Sequence, residues 1–274
     1  MAINVQNLLV KKQTGEKIVM ITAYGYHSAL LAEQAGMDIV LVGDSLGNVM
    51  LGYNSTTPVT MADILHHTKP VTRAVKNALV VADMPFGSYQ ISVEQAMTNA
   101  IRLIKEGGAS AVKLEGGVET VPVISALTKH GIPVMAHIGL LPQTAAMWQG
   151  FRCQGRDAAS ARHLRETAQQ LEQAGAFSLV LECVAAEAAA NITSLLKIPT
   201  IGIGAGPHCD GQVLVFHDLV GLNEGHMPRF AKAFGNAASV IRQAINDYIA
   251  EVKDGVYPDI AHTFYMEAAE EKKL

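Results

Sequence analysis

Ala111-Val112-Lys113-Leu114-Glu115-Gly116-Gly117 is a short apolar run that carries a lysine and a carboxylate two residues apart and then breaks at two glycines. It reads as the end of a buried strand. Side chains alternate across a strand, so Lys113 and Glu115 share one face while Val112 and Leu114 take the other. An unpaired buried charge costs several kcal/mol, on the order of a whole domain's margin of stability. Two charges on one buried face therefore either pair to hold a core in register or belong to a site.

Outward from this run the chain repeats one unit. β-rich runs at 17–22 (KIVMIT), 38–43 (DIVLVG), 78–82 (ALVVA), 132–136 (IPVMA), 177–181 (FSLVL), 199–203 (PTIGI) and 213–216 (VLVF) join 111–115, and most end in a polar residue or glycine. Helical periods lie between them at 62–75, 92–106 with Ser92 as cap, 118–130, 158–174 and 185–196, and a last one covers 228–253. Eight such strands predict a parallel (β/α)8 TIM barrel rather than an open doubly wound sheet, because no early GxGxxG turn occurs. No linker or composition shift interrupts the pattern, so 1–274 reads as one domain with a charged tail at 265–274 that frays.

Of the 274 residues, 49% are hydrophobic and 17% charged, enough apolar material for a large core. A net charge of -4 without a Lys/Arg cluster gives no footprint for nucleic acid. Cys153, Cys183 and Cys209 are odd in number and widely spaced, which fits a reducing compartment better than a disulfide framework or zinc site. No secretion signal and no apolar stretch of about 18 residues is present. A soluble, cytoplasmic protein is expected, with neither membrane nor nucleic acid as partner.

In a barrel the site lies at the carboxyl ends of the strands, where Asp44, Asp83, Glu115, His137 and Glu182 arrive in succession around one rim. Three neighbouring carboxylates repel one another unless a cation sits among them. A hard divalent ion such as magnesium suits this all-oxygen set and would chelate a 2-oxo acid and stabilise its enolate. Lys113 then serves as a charge clamp on the same oxygens, or as a Schiff-base nucleophile of a metal-independent aldolase. Glu182, from the far side of the rim, is the candidate base, and the alternative reading makes it a capping carboxylate for the helix that follows. His137 hydrogen-bonds a substrate oxygen, shuttles a proton, or is structural. The segment at 138–156, holding Gln143, Trp148, Gln149 and Gln154, is long for a barrel loop, and such loops are usually functional. Gly202 to Gly206 suits either an anion or a tight turn.

Several strings are specific enough to carry a resemblance. They are Val42-Gly43-Asp44-Ser45-Leu46-Gly47, Asn54-Ser55-Thr56-Thr57-Pro58-Val59-Thr60, Lys113-Leu114-Glu115-Gly116-Gly117, His137-Ile138-Gly139-Leu140, Leu181-Glu182-Cys183-Val184, Ile201-Gly202-Ile203-Gly204-Ala205-Gly206 and Asp210-Gly211-Gln212. In this order, over nearly the whole chain, the sequence resembles the ketopantoate hydroxymethyltransferase family. The resemblance implies a barrel of the phosphoenolpyruvate/pyruvate type and a magnesium ion. It implies hydroxymethyl transfer from 5,10-methylenetetrahydrofolate to 3-methyl-2-oxobutanoate in pantothenate biosynthesis. It also implies metal-site carboxylates at Asp44, Asp83 and Glu115, substrate contacts at Ser45 and Lys113, a base at Glu182, and a homodecamer; Asp44, Asp83 and His137 are expected to face the same substrate from their places on the rim. Two positions depart from the pattern: Leu141 stands where threonine is expected, and Ala185 where proline often follows.

Overall fold

The computed structural model describes residues 2–145, 152–225 and 227–274. Trp148 and Gln149, singled out in the sequence, lie outside the described residues. Eight parallel strands, β1 to β8, close into a barrel in chain order, with β8 returning to β1. They are β1 Ile18–Thr22, β2 Ile39–Val42, β3 Leu79–Asp83, β4 Ala111–Glu115, β5 Val134–Gly139, β6 Ser178–Glu182, β7 Thr200–Ile203 and β8 Gly211–Leu214.

The strand alternation sorts the core into two layers. Ile18, Met20, Ile39, Leu79, Val81 and Met135 fill the barrel interior, and Leu8 of helix α1 (Val5–Thr14) joins them. The opposite faces, with Val112, Leu114, Ala136 and Leu179, pack outward against the helices. Toward the carboxyl ends the inward positions change character: Val81 is followed by Asp83, Ala111 by Lys113 and Glu115, Met135 by His137, and Val180 by Glu182. Apolar filling below and charge above is therefore written into single strands, two residues apart.

The outer shell contains α2 Tyr26–Gln34, the short α3 Leu46–Val49, α4 Met61–Ala74, α5 Val93–Lys105, α6 Val121–Lys129, α7 Ala158–Gln173 and α8 Ala186–Leu195. Ser92 caps α5 by accepting the Gln95 N–H, as its position predicts. Thr60 and Asp63 form a reciprocal capping box on α4.

β5 runs Val134–Gly139 rather than 132–136, and two further boundaries differ for tertiary reasons. β8 begins at Gly211 rather than Val213, because Gly211 and Gln212 continue the ladder to both β1 and β7. Its end is set by Thr22, whose hydroxyl accepts the Phe216 N–H as the chain enters the short α9 (Phe216–Leu219). The final helix, α10, spans Ala237–Lys253 and not 228–253. Backbone bonds from Phe234 to Leu219 and from Ala237 to Val220 tie the preceding segment to α9, and the helix starts only after the Asn236 cap.

After its buried start at Ala238, helix α10 is exposed, apolar residues included: Val240, Ile241, Ile245, Tyr248, Ile249 and Val252 all face outward. The last short helix, α11 (Ala268–Glu271), is exposed too. No helix of the described residues is long and apolar enough to cross a membrane.

Candidate active site

Strand register builds the site. In the β3–β4 ladder Asp83 stands beside Lys113, and in the β4–β5 ladder Glu115 stands beside His137. Glu182 pairs with Gly139 one ladder further on, so its side chain lies diagonally above His137 on the same face. Lys113 Nζ donates to Asp83 Oδ1 at 2.6 Å. His137 lies between two acids, Nδ1 at 3.5 Å from Glu115 Oε1 and Nε2 at 3.4 Å from Glu182 Oε2. These are ion-pair contacts, and neither nitrogen has an aligned hydrogen bond. Asp44 lies just past β2, where its backbone N–H donates to Asp83 Oδ2 at 2.9 Å. All five inward groups are buried: Asp44 is 4% exposed, Asp83 2%, Lys113 4%, Glu115 5% and His137 2%.

Burial at this density dominates the electrostatics. It pushes Asp44 well above the usual carboxylate range, and the Asp83 and Glu115 charges push it further. Burial also raises Asp83, against the pull of Lys113. For Lys113, burial acts downward but is outweighed by Asp83, Glu115 and Asp44, so the ammonium is held above the ordinary lysine range. Glu115 is held below its ordinary range: burial opposes this, and His137, Lys113 and the Gln143 N–H overcome it. His137 is raised to about 9, since Glu115 and Glu182 outweigh its desolvation.

Ser45 lies at the rim with its hydroxyl 2.7 Å from Tyr24 OH. Glu182 does not cap α8: the helix starts at the Ala185 cap position without a side-chain cap, and the Glu182 side chain points to His137. Immediately after it, Cys183 takes a left-handed φ of 48°, the one such non-glycine residue among those described. Backbone strain of this kind costs on the order of 1–3 kcal/mol and collects at functional sites. Ala185 uses an N–H that proline would lack, donating to Gln154 O at 2.9 Å. The glycine loop Gly202 to Gly206 leads directly toward β8 with no intervening helix. Gly204 and Gly206 adopt positive φ where a Cβ would meet Phe230 and Ala186.

Two residues at the site carry no motif in the sequence, Tyr24 just after β1 and Tyr89 in the loop after β3, and a third, Gln143, stands in the sequence only as one glutamine of the long segment 138–156. Tyr89 and Gln143 are buried, and both bond to Glu115. Their common signal was position, each being a polar or hydroxylated residue a few places beyond a strand's carboxyl end.

Among the described residues no group of three His, Cys, Asp or Glu side chains stands close enough together to hold a metal ion by itself. The donor set nonetheless fits a hard divalent cation. Asp44 is buried, has no cationic hydrogen-bond partner among the described residues, and receives only neutral donors, while Asp83 shares its charge with Lys113. Magnesium needs one or two protein carboxylates and keeps much of its water, so a closed cage is not required.

An eight-stranded parallel barrel with acids, a lysine and a histidine gathered at the strands' carboxyl ends defines an enzyme of the (β/α)8 class. Solved structures share the fold. A phosphonopyruvate hydrolase in complex with oxalate and Mg++ superposes with a TM-score of 0.60 at 15% identity, covering 98% of this chain and 94% of that one. 2,3-Dimethylmalate lyase, a PEP mutase/isocitrate lyase superfamily member, gives 0.60 at 17% identity, covering 96% and 89%. The sequence comparison is closer. A family model described as Ketopantoate hydroxymethyltransferase matches residues 2–260. The 3-methyl-2-oxobutanoate hydroxymethyltransferase of Moorella thermoacetica is 55% identical over 96% of this chain and 97% of its own length. That of Heliobacterium modesticaldum is 54% identical over 93% of each. The chain belongs to the ketopantoate hydroxymethyltransferase family.

Proposed function

We propose that this chain transfers a hydroxymethyl group from 5,10-methylenetetrahydrofolate to 3-methyl-2-oxobutanoate, giving the ketopantoate of pantothenate biosynthesis. The observation that carries the reading is the facing arrangement of Asp44, Asp83, Lys113 and Glu115 on one side of the rim and Glu182 on the other, in a chain of this family. A magnesium ion held by Asp44, Asp83 and Glu115 would supply positive charge for the carboxylate and keto oxygens of the 2-oxo acid. Lys113 acts as a fixed cation on those oxygens. Its tight pairing with Asp83 supports a clamp and disfavours a Schiff-base nucleophile, which needs a neutral amine. Ser45, with its hydroxyl anchored by Tyr24, orients the substrate carboxylate.

Glu182 removes the C3 proton, which passes to its carboxylate while the C–H electron pair moves toward the keto oxygen. Water opens the folate's methylene bridge, breaking its C–N bonds to N5 and N10 and leaving tetrahydrofolate and formaldehyde; C3 then bonds to the formaldehyde carbon, and its oxygen, derived from the water, takes a proton to become the new hydroxyl. His137 steadies Glu182 electrostatically from below. The three cysteines are free thiols, which supports a cytoplasmic location. The outward apolar face of α10 supports a homo-oligomer, for which a decamer is the expected form. The test is incubation with both substrates. Ketopantoate formation that requires magnesium and is abolished by EDTA is expected. Turnover without folate, or borohydride trapping of the keto acid on Lys113 with activity surviving EDTA, would overturn the reading.

A further inference from the structure

Gln143 makes four hydrogen bonds at the centre of the carboxylate cluster. Its side-chain Nε2 donates to Asp44 Oδ2 at 2.9 Å and to the Met84 carbonyl at 3.0 Å, and its backbone N–H donates to Glu115 Oε2 at 3.1 Å. Its Oε1 lies 2.8 Å from the Tyr89 hydroxyl, a donor. The orientation of the amide follows from the chemistry of its neighbours. The Asp44 carboxylate and the Met84 carbonyl are acceptors, so the NH2 must face them, and the oxygen must then face Tyr89. Tyr89 also receives the Glu115 N–H at 3.2 Å, and its single hydroxyl proton is shared between Gln143 Oε1 and the Glu115 carbonyl, each at 2.8 Å, so Tyr89 grips β4 twice. Gln143 is 4% exposed and Tyr89 3%. On the other side of the residue, Thr57 of the loop after β2 donates its hydroxyl to the Gln143 carbonyl at 3.3 Å.

We infer that Gln143 is a positioning residue that holds Asp44 and Glu115 in the orientation their ligand requires, with Tyr89 locking its amide. Each carboxylate has one oxygen on Gln143. That leaves Asp44 Oδ1 without a hydrogen-bond donor among the described residues and Glu115 Oε1 facing only His137, so these are the oxygens a ligand can use. A carboxylate free to rotate would lose this presentation and its pairing with the other two acids. Groups that orient ligating carboxylates typically govern metal affinity by about 10- to 100-fold when removed. The inference rests on the metal reading under Proposed function, and its test separates the two.

The probe is Mn2+, titrated into the full-length protein without substrates and followed by the electron paramagnetic resonance of the free ion. Wild-type protein, Gln143→Met and Tyr89→Phe are compared, with thermal unfolding run alongside. Gln143→Met keeps the volume of the side chain but has no amide, and should weaken Mn2+ binding about 10-fold or more while the protein remains folded. Tyr89→Phe leaves the amide present but unlocked and should weaken it by a smaller factor, which keeps the test open if Gln143→Met does not fold. In steady state Gln143→Met should need more metal for half-maximal rate and recover most of its kcat at saturating metal. Equal Mn2+ affinity in wild type and both variants, with only the melting temperature lowered, overturns the role of Gln143 and leaves the metal reading standing. Wild-type protein that takes up no Mn2+ overturns both.

Discussion

Lys113 is the residue on which the site's charge balance turns. It is buried, it bonds Asp83 at 2.6 Å, and the carboxylates around it outweigh the desolvation that would neutralise it. Removing one member of a buried ion pair strands the other, at a cost of about 3–5 kcal/mol. Lys113→Met is therefore expected to lower stability in urea by about 3 kcal/mol in the metal-free protein, and a divalent cation should restore part of the loss. A variant as stable as wild type would mean that Asp83 sits there as a neutral acid. The sequence showed that Lys113 and Glu115 share a buried face, because alternation in a strand requires it. It did not show whom each would meet. That depends on ladder register, which sets Asp83 against Lys113 and Glu115 against His137 and leaves no local signature in either strand. For the same reason Gln143 was visible only as one glutamine in a long segment, although these four bonds reach β4 and the residues just beyond β2 and β3.

At the scale of elements, α2 is fastened to the entry of β3 by Glu33, whose carboxylate accepts the Asn77 N–H at 2.8 Å and the Ala78 N–H at 3.1 Å. Burial alone would raise this acid, but these donors outweigh it and hold its pKa below the ordinary 4.5. A depressed carboxylate contributes stability that is present above the unfolded pKa and is lost as pH falls through the folded one. Wild-type stability should therefore decline below about pH 4.5, and Glu33→Gln should show a flatter decline there, by about 1 kcal/mol. Identical slopes in the two proteins would show that the acid-sensitive contacts lie elsewhere. The start of α5 was legible because Ser92 announces it as a cap. Two other boundaries are tertiary in origin. β8 is fixed by its ladders to β1 and β7 and by the Thr22 hydroxyl, and the start of α10 by backbone bonds to α9, none of which has a local sequence mark.

The whole molecule combines a closed barrel with a helix that the barrel does not cover. The closure was legible because eight runs deliver polar residues in sequence, a pattern only a ring of parallel strands brings to one rim. The apolar exposure of α10 was not, since its pattern is that of any amphipathic helix and the sequence cannot say what lies opposite. Light scattering should find an assembly larger than one chain, and the double change Ile241→Glu with Ile245→Glu should shift it to smaller species; an unchanged mass would place the interface elsewhere. The barrel's central task, on this account, is to hold a 2-oxo acid between a charged cluster and the Glu182 base. Exchange of the C3 proton of 3-methyl-2-oxobutanoate with deuterated water, followed by NMR without folate, tests that directly. Wild-type protein with magnesium should catalyse exchange, and Glu182→Gln should bind the keto acid but exchange about 100-fold or more slowly. Exchange at the wild-type rate in Glu182→Gln would contradict the account.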